Sequence, residues 1–358
     1  MNVNNIATAH SERIKTIIDP LIQWYKCNRR DLPWRHDPSP YRVWVSEIML
    51  QQTRVEPVIP YYQRFLERLP DVEALACCPE DVLMKLWEGL GYYSRARNLQ
   101  KAAQLVVETG NFPNTFEGWR ALPGIGDYTA GAICSIALGL PTPAVDGNVL
   151  RVLSRILGSF DDIAAPQTKK TFTEALRLVY PPCETSELTQ GLMELGATVC
   201  IPNGEPLCDR CPLYAHCTAR EKSLTDCIPV KAPKKERKVE NHTILIVRHR
   251  DQIALMRRPA RGLLAGLWEY PNYTQAMDEK AVSELLKELE PISVSRLSDS
   301  IHVFTHIEWK MIGYEVVVSK QTPSFHWFSI DEILQSVAIP SAYRCYTQFI
   351  KDLRYEVC

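Results

Sequence analysis

An excess of charge of one sign is missing from this sequence. Its 358 residues include 41 Lys and Arg against 42 Asp and Glu, a net charge of −1. Such a balance does not by itself indicate a nucleic-acid partner, so any basic surface must be local. Local clusters do occur, at Arg29 and Arg30, at Arg95 and Arg97, and across residues 231–238.

Long apolar runs and an export signal are also missing. The first five residues, MNVNN, do not have the basic-then-apolar layout of a signal peptide. The longest apolar stretch, 130–140, contains glycine and is shorter than a membrane span, so we expect a buried helix there and no membrane partner. No internal repeat is evident, and the length suits two domains in a cytoplasmic protein.

Disulfide bonds are not expected, although the chain has 12 cysteines, because proteins that are not exported use thiols in other ways. Four of them form the pattern C-x7-C-x2-C-x5-C, at Cys200, Cys208, Cys211 and Cys217. Four thiols this close, with no histidine at zinc-finger spacing, indicate a metal site. The spacing leaves zinc and an iron–sulfur cluster both open.

A glycine-rich turn is predicted in LPGIGDYTA, residues 122–130, before a helix from about Thr129. Gly124 and Gly126 permit a tight turn and let a ligand approach the backbone closely. Free N–H groups at the start of a helix suit one phosphate of a DNA backbone. The alternative is an ordinary connection between two helices.

Asp146 follows in PAVDGNV, residues 143–149. It is predicted to cap a helix that runs to about Gly158. A capping carboxylate can also be catalytic, so the two interpretations are compatible.

A loop is predicted at RRDLPWR, residues 29–35, because Pro33 keeps the segment out of a helix. An aromatic ring beside guanidinium groups suits base stacking and phosphate contact, and the alternative is a surface loop with a packed tryptophan. The preceding residues 11–27 have apolar side chains at helical spacing and predict one amphipathic helix. The candidate DNA-binding side chains of the loop are Arg30, Trp34 and Arg35.

Glu47 lies on the edge of an apolar stripe in a helix predicted across PYRVWVSEIMLQQT, residues 40–53. Half-burial at such an edge raises the pKa of a carboxyl, which suits a general acid working near neutral pH. A solvated helix glutamate is the alternative. Pro57 and Pro60 are predicted to end this helix.

Two further segments carry candidate binding residues. In LWEGLGYYSRARNL, residues 86–99, a tyrosine pair on a glycine-hinged turn suits stacking between bases, or packing in the core. Residues 168–199 predict two helices. Gln190 and Glu194 share one face there because they are four residues apart.

A change in composition divides the chain. Residues 227–241, CIPVKAPKKERKVEN, predict a linker between a domain at 1–226 and a domain at 242–358. Beyond the linker, short β-like runs and helical patterns predict an α+β domain. The expected strands cover 243–247, 253–257 and 314–318, and the expected helices lie near 278–289 and 330–337.

Together these motifs resemble the helix-hairpin-helix DNA glycosylases, and in particular the MutY-type adenine DNA glycosylases, over nearly the whole chain. The resemblance rests on LPGIGDYTA, PAVDGNV, VSEIMLQQT and the cysteine loop. It implies a multidomain protein with a mostly α helix-hairpin-helix domain that carries a 4Fe-4S cluster in its loop 200–217. The first cysteine gap is one residue longer than usual in that family, a change that a loop is expected to tolerate.

The resemblance also implies a substrate and roles for single residues. Glu47 protonates the departing adenine, Asp146 stabilises the sugar cation, and Tyr128 supports Asp146. The implied substrate is double-stranded DNA with adenine opposite 8-oxoguanine or guanine, bound by a monomer in the bacterial cytoplasm, at the nucleoid. The residues implied at the DNA or the base are Arg30, Trp34, Arg35, Gln52 as a wedge, Tyr92 as an intercalating residue, Gly124, Gly126, Asn148, Gln190 and Glu194.

The C-terminal domain resembles a Nudix fold through GLLAGLWEYP, residues 262–271. It departs from Nudix hydrolases because AVSELLKELE, residues 281–290, lacks the glutamate order that holds magnesium, so pyrophosphate hydrolysis is not expected. In adenine glycosylases such a domain recognises 8-oxoguanine. The sequence Phe304, Thr305 and His306 matches the Phe-Ser-His loop of that family, with Thr for Ser.

Two other functions stay open at this point. An endonuclease III-like lyase for oxidised pyrimidines shares the turn, the aspartate and the cysteines, but it needs a lysine nucleophile where this chain has Tyr128. A helix-hairpin-helix module can also hold DNA without catalysis. Such a scaffold would tolerate the loss of Glu47 and Asp146.

Overall fold

A computed structural model of the chain describes residues 3–232 and 236–356, which form two compact units. The first comprises Met1–Cys77 and Asn98–Pro233, and the second Cys78–Arg97 and Lys234–Cys358. Residues 233–235 of the predicted linker lie outside the described part. Up to residue 232 the α-helices are α1 (Val3–Lys15), α2 (Ile18–Asn28), α3 (Pro40–Leu50), α4 (Val55–Arg68), α5 (Val72–Cys77), α6 (Glu80–Trp87), α7 (Ser94–Thr109), α8 (Phe116–Arg120), α9 (Asp127–Ala137), α10 (Gly147–Leu157), α11 (Pro166–Arg177), α12 (Thr185–Thr198) and α13 (Thr218–Glu221).

The single helix predicted over 11–27 is wrong, because α1 and α2 are separate. Pro20 is the third residue of α2. A proline lacks the N–H group, and its ring would clash with the carbonyl four residues earlier, that of Thr16, if one helix ran through. The chain therefore turns at Thr16 and Ile17.

The prediction that Pro57 and Pro60 end the helix of Glu47 is also wrong. That helix, α3, ends at Leu50, and both prolines lie inside α4. Pro57 stands in the first turn of α4, where the missing N–H removes no hydrogen bond within the helix. The turn between the two helices includes Gln52, whose φ of 57° is left-handed.

The core of the first unit lies between α1, α2, α10, α11 and α12. Predicted as buried, the stretch 130–140 is mostly the helix α9, which is buried from Thr129 to Ser135. Gly131 of α9 has a specific reason to be glycine, because an added Cβ would lie 2.3 Å from the carbonyl oxygen of Pro143. The absent side chain therefore lets the segment that ends in Asp146 lie directly against α9.

No helix within residues 3–232 or 236–356 is long and apolar enough to cross a membrane.

A single eight-stranded mixed sheet organises the second unit. The strand order along the sheet is β3-β2-β1-β7-β5. Three further strands pair at its sides, β4 with β1, β6 with β7 and β8 with β2. Of these pairs, β1 and β7 are parallel and the others are antiparallel. All three predicted strands lie inside observed ones. The elements are β1 (Lys238–His249), β2 (Gln252–Arg257), β3 (Trp268–Glu269), β4 (Asn272–Tyr273), α14 (Glu279–Leu285), β5 (Pro291–Arg296), β6 (Ser300–Val303), β7 (Ile307–Val318), β8 (His326–Ser329), α15 (Ile330–Gln335) and α16 (Arg344–Glu356).

Both faces of the sheet are covered. Successive side chains of a strand point to opposite faces. Ile244 and Ile246 thus pack with residues of α15 and α16, whereas Leu245 and Val247 pack with residues of α14. The mostly α first unit and the α+β second unit agree with the predicted fold class.

The segment 78–97 belongs to the second unit, although a contiguous first domain was expected. Hydrogen bonds explain its place. The Lys85 Nζ atom donates to the carbonyl of Val337 at 2.9 Å, and the backbone N–H of Ile339 donates to Glu88 Oε1 at 2.8 Å. Such partners, about 250 residues away in sequence, leave no local signal.

The linker also differs from the predicted range 227–241. At one end Ile228 is buried, and its carbonyl accepts a hydrogen bond from Arg155 Nε at 2.8 Å. At the other end β1 already begins at Lys238. Lysine and glutamate on the exposed side of a strand look like linker composition, which explains the difference.

Candidate active site

Glu47 is held in the interior by α3. The helix is capped by the Ser39 hydroxyl, and between Tyr41 and Met49 all its residues except Arg42 are buried. Glu47 is 5% exposed rather than half-buried as expected, and its Oε2 atom has no hydrogen-bond partner among the residues that the structure describes.

The pKa of Glu47 is accordingly shifted. Burial raises it to about 7, a hydrogen bond from Tyr128 lowers it in part, and the negative charge of Asp146 raises it. At neutral pH such a carboxyl is present in both protonated and ionised forms, so it can give up a proton without a large driving force.

Tyr128 is the second residue of α9 and lies beside Glu47. Its hydroxyl also contacts Met193 Sδ at 3.8 Å. Burial, with the nearby charges of Glu47 and Asp146, raises the pKa of Tyr128 well above its ordinary value. The phenol therefore stays protonated and acts as a hydrogen-bond donor.

Asp146 caps α10, as predicted, and α10 ends at the predicted Gly158. Its Oδ1 atom accepts from the backbone N–H of Val149 at 2.8 Å, and its Oδ2 atom accepts from Asn148 Nδ2 at 2.8 Å. Burial raises the pKa of Asp146, and these hydrogen bonds reverse only part of that rise. The carboxylate is thus fixed in orientation by two donors.

Arg151 is a residue that the sequence analysis missed. It is buried, and it donates to Asn148 Oδ1 at 2.8 Å and to the carbonyl of Cys200 at 2.7 Å. A continuous series of hydrogen bonds therefore links Cys200, through Arg151 and Asn148, to Asp146. The available signal was an arginine on the apolar side of α10, since a buried guanidinium must be paired.

The candidate side chains of the first unit surround one cavity of about 670 Å³. Its size suits a small-molecule or nucleobase ligand. Gly124 and Gly126 are not part of its wall. Of the predicted residues, the cavity is lined by Arg30, Trp34, Arg35, Glu47, Gln52, Tyr128, Asp146, Asn148, Gln190 and Glu194.

Glu194 holds two arginines at the wall of this cavity. Its side chain is 1% exposed, and it accepts from Arg30 Nε and from Arg35 NH2, both at 2.8 Å. Burial alone would raise the pKa of Glu194, but the hydrogen bonds from Arg30 and Arg35 outweigh it and lower the pKa to about 2. Gln190 Oε1 accepts from Arg35 Nε at 3.0 Å, so the predicted face of α12 forms one hydrogen-bonded cluster with the loop.

Trp34 lines the cavity but is also packed. It is buried in a short 3₁₀ turn, Pro33–Arg35, and its ring meets the edge of Tyr62 with centroids 5.5 Å apart. Trp34 is therefore packed against a neighbouring ring, as in the alternative interpretation of this loop. Gln52, by contrast, is exposed at the rim on its left-handed backbone.

The glycine turn precedes α9, which begins at Asp127, slightly earlier than predicted. Gly124 has a φ of 77°, and an added Cβ would lie 2.7 Å from Asn98 Cβ, so both conformation and space require glycine. Gly126 caps α9 in extended conformation, without a side-chain cap, and its surroundings are open. The first N–H groups of α9 are thus left for an external acceptor.

In the second unit the structure brings Tyr92 and the loop before β7 together. Tyr92 is 47% exposed with a φ of 46°, and its hydroxyl lies 2.6 Å from Thr305 Oγ1. Phe304 packs edge-on against Trp309, with ring centroids 4.9 Å apart, while Thr305 and His306 are exposed. An anchored ring therefore supports an exposed polar tip.

The four clustered cysteines line one small cavity beside Arg155. Arg155 NH1 donates to Cys200 Sγ at 3.2 Å. Among the described residues, there is no group of three or more His, Cys, Asp or Glu side chains close enough together to hold a single metal ion. The thiols that surround this cavity are Cys200, Cys208, Cys211 and Cys217.

Comparison with known proteins agrees with these features. Residues 45–179 match the HhH-GPD superfamily base excision DNA repair protein family, and residues 242–348 match the NUDIX domain family. A solved structure of a thermostable thymine-DNA glycosylase shares 27% identity and superposes with a TM-score of 0.54, over 59% of this chain and 98% of that chain.

Similarity over the whole length is more specific. The chain is 34% identical to an adenine DNA glycosylase of Mus musculus over 396 residues, which is 91% of this chain and 77% of the mouse protein. It is 33% identical to an adenine DNA glycosylase of Buchnera aphidicola subsp. Schizaphis graminum over 289 residues, or 80% and 82% of the two chains. Two domain matches in the right order and this similarity confirm the resemblance found in the sequence, and the chain belongs to the adenine DNA glycosylase family.

Proposed function

We propose that the protein is a base-excision repair enzyme that hydrolyses the N-glycosidic bond of adenine paired with 8-oxoguanine or guanine in double-stranded DNA. The observation that carries the proposal is the buried Glu47, with a pKa of about 7, in the same cavity as Asp146. Two carboxyl groups with different environments suit acid catalysis of glycoside hydrolysis.

Glu47 is the general acid in this proposal. Its proton goes to N7 of adenine, which turns the base into a neutral leaving group. Asp146, held as an acceptor by Val149 and Asn148, stabilises or transiently captures the oxocarbenium-like sugar cation. Tyr128, protonated and close to both carboxyl groups, keeps them in position.

The cavity accepts the adenine after it has been extruded from the duplex. Gln52, exposed on a strained backbone at the rim, fills the space that the base leaves in the stack. Around the base stand the arginine cluster and its neighbours: Arg30, Trp34, Arg35, Asn148, Gln190 and Glu194. Gly124 and Gly126 bring the free N–H groups of α9 to a DNA phosphate.

The second unit recognises the opposite base. Tyr92 stacks into the duplex, and the loop of Phe304, Thr305 and His306 hydrogen-bonds 8-oxoguanine. The hydroxyl of Thr305 provides the same donor and acceptor as a serine hydroxyl. Since residues 281–290 lack the glutamate order of Nudix hydrolases, this unit performs no pyrophosphate hydrolysis.

The four cysteines fit a 4Fe-4S cluster, and Cys200, Cys208, Cys211 and Cys217 would hold it. Arg155 NH1 donates a hydrogen bond to the sulfur of Cys200 at 3.2 Å. The four thiols line one small cavity, and four cysteine thiolates are the ligand set that such a cluster would require. When bound, the cluster organises its loop and supplies no hydrolytic chemistry.

Iron, zinc and acid-labile sulfide analysis tests the cluster. Anaerobically purified protein should contain about four irons and four sulfides per chain. One zinc and no sulfide would contradict it.

The enzyme is monofunctional in this proposal. A lyase needs an amine that forms a Schiff base with the sugar, and Tyr128 offers a phenol instead. Borohydride should therefore trap little protein on substrate DNA, and efficient trapping would favour the endonuclease III-like alternative. The enzyme acts as a monomer in the bacterial cytoplasm, at the nucleoid, in this proposal.

A single-turnover assay tests the function. With enzyme in excess over a duplex that contains A opposite 8-oxoguanine, we expect release of free adenine and an alkali-labile site in the adenine strand. Glu47→Gln keeps the shape of the side chain and is the matched control. Release of an oxidised pyrimidine instead, or equal adenine release by the control, would contradict the proposal.

A further inference from the structure

A second groove adjoins the cavity of Glu47. It has a volume of about 540 Å³ and is formed by residues of α8, the start of α9, the segment before α10, and α11. Tyr128, Val145 and Lys169 line both spaces. A ligand that occupies the cavity can therefore continue into the groove past Lys169.

The groove carries uncompensated positive charge. Arg120 pairs with Asp127, and Arg177 pairs with Glu174 at 2.6 Å, so these four charges compensate one another. Two further cations line the groove, Lys169 and Lys170, and neither has a salt-bridge partner in the part of the chain that the structure describes. Glu117 is the one acidic residue among the described residues of the groove that is not already paired with Arg120 or Arg177, so it offsets only one of the two lysine charges.

The positions of the two lysines also suit an anionic ligand. Lys170 is exposed, while Lys169 is half-buried between the two spaces. The first residues of α9, Asp127 and Tyr128, also line the groove, and α9 has no side-chain cap. Backbone N–H donors and two ammonium groups along one open channel suit a ligand with several anionic oxygens in a row.

We propose that this groove binds the phosphodiester backbone of the adenine-bearing strand next to the extruded nucleotide, with Lys169 and Lys170 as phosphate contacts. The inference rests on the proposed function, because it takes the base in the cavity to be part of a DNA strand. Lys169 then touches a phosphate flanking the extruded nucleotide, and Lys170 the phosphate beyond it. Neither contact carries sequence information.

The salt dependence of binding tests this directly. Binding of the A:8-oxoguanine duplex is measured by fluorescence anisotropy over a series of salt concentrations, with full-length protein. Removal of one lysine–phosphate pair should reduce the slope of log K against log salt by about 0.9. Lys169→Ala and Lys170→Ala should each show this reduction and a roughly tenfold weaker Kd at low salt.

Two further variants make the test specific. Lys169→Arg keeps the charge and should restore the slope of the parent. Lys101→Ala removes an exposed lysine of α7 that lines neither space and should leave the slope unchanged. A role in folding alone would lower the melting temperature without changing the slope.

A parental slope in the double variant Lys169→Ala, Lys170→Ala would overturn the proposal. If the parent excises adenine and this slope is unchanged, only the groove is wrong. If the lysine substitutions reduce the slope of log K against log salt but the parent releases no adenine, the proposed function is wrong, and the groove still binds a DNA backbone.

Discussion

The hydroxyl of Tyr92 lies 2.6 Å from Oγ1 of Thr305, although the two residues are 213 positions apart in the sequence. Both belong to the second unit. Arg95 supports the turn that carries Tyr92, because its NH2 group donates to the carbonyls of Leu90 and Gly91 at 2.8 and 3.1 Å. The proposed intercalating ring and the proposed lesion-recognition loop are therefore parts of one compact unit.

A double-mutant cycle tests this relationship. Tyr92→Phe and Thr305→Val each remove one hydroxyl and keep the shape, so each should weaken the preference for A:8-oxoguanine over A:G. Because the two groups share a hydrogen bond, the effects should be non-additive by about 0.5 kcal/mol or more. Single-turnover rates on both duplexes measure it, and Tyr61→Phe in α4 is the control. Fully additive effects would show that the two hydroxyls act independently.

Truncation after Asp226 should leave a folded, cluster-bearing chain that excises adenine opposite guanine but distinguishes 8-oxoguanine poorly. It also removes Val337 and Ile339, the partners of Lys85 and Glu88, so its melting temperature should fall. His306→Ala removes one exposed side chain and should weaken the same preference at an unchanged melting temperature. If both variants discriminate like the parent, recognition depends on Tyr92 and Arg95 instead.

The fold class, the cap Asp146 and the three strands were predictable from local patterns. The places of Gln52, Tyr128 and Asn148 at the cavity were implied only by the family resemblance. The break between α1 and α2 follows from local chemistry as well, because Pro20 cannot lie inside one continuous helix. The full burial of Glu47 was not predictable, because it depends on residues that are distant in sequence, such as its hydrogen-bond partner Tyr128.

Pairs that are far apart in sequence were hidden in the same way. Arg30 and Glu194 are 164 residues apart, and periodicity along one helix says nothing about a partner on another. For the same reason, the sequence did not indicate that the segment 78–97 belongs to the second unit. Helical spacing placed Gln190 and Glu194 on one face, but only the fold shows that this face binds two arginines.

The excision rate should depend on pH through Glu47. The general acid must be protonated, and its pKa is raised to about 7, so the single-turnover rate should fall as pH increases above about 7. At saturating enzyme the fall should approach tenfold per pH unit. Glu47→Gln should lose about 10²-fold to 10⁴-fold in rate and show no such dependence. A rate that increases through pH 8 would exclude Glu47 as the acid.

Glu47 should also make stability depend on pH. Its pKa is about 7 in the folded protein against an ordinary value of 4.5, so between these values the folded state binds the extra proton. The contribution is fully present below about pH 4.5 and is lost as pH increases through 7, by about 3 kcal/mol in total. Glu47→Gln does not titrate.

Chemical denaturation at several pH values measures this effect. The free energy of unfolding of Glu47→Gln, relative to the parent, should increase from pH 5 to pH 8. Glu12→Gln, an exposed substitution in α1, is the control. A constant difference between Glu47→Gln and the parent would mean that Glu47 titrates as it does in the unfolded chain.

Asp146 tests whether a helix cap is also catalytic. Asparagine caps helices about as well as aspartate, so Asp146→Asn should keep the hydrogen bond from Val149 and change the melting temperature little. What the substitution removes is the negative charge beside the developing sugar cation, so adenine excision should fall by at least about 10²-fold. Asp278→Asn, a substitution at the exposed cap of α14, is the matched control for the capping role. Full excision by Asp146→Asn would return Asp146 to a purely structural role, whereas a loss of excision at an unchanged melting temperature assigns it to the chemistry.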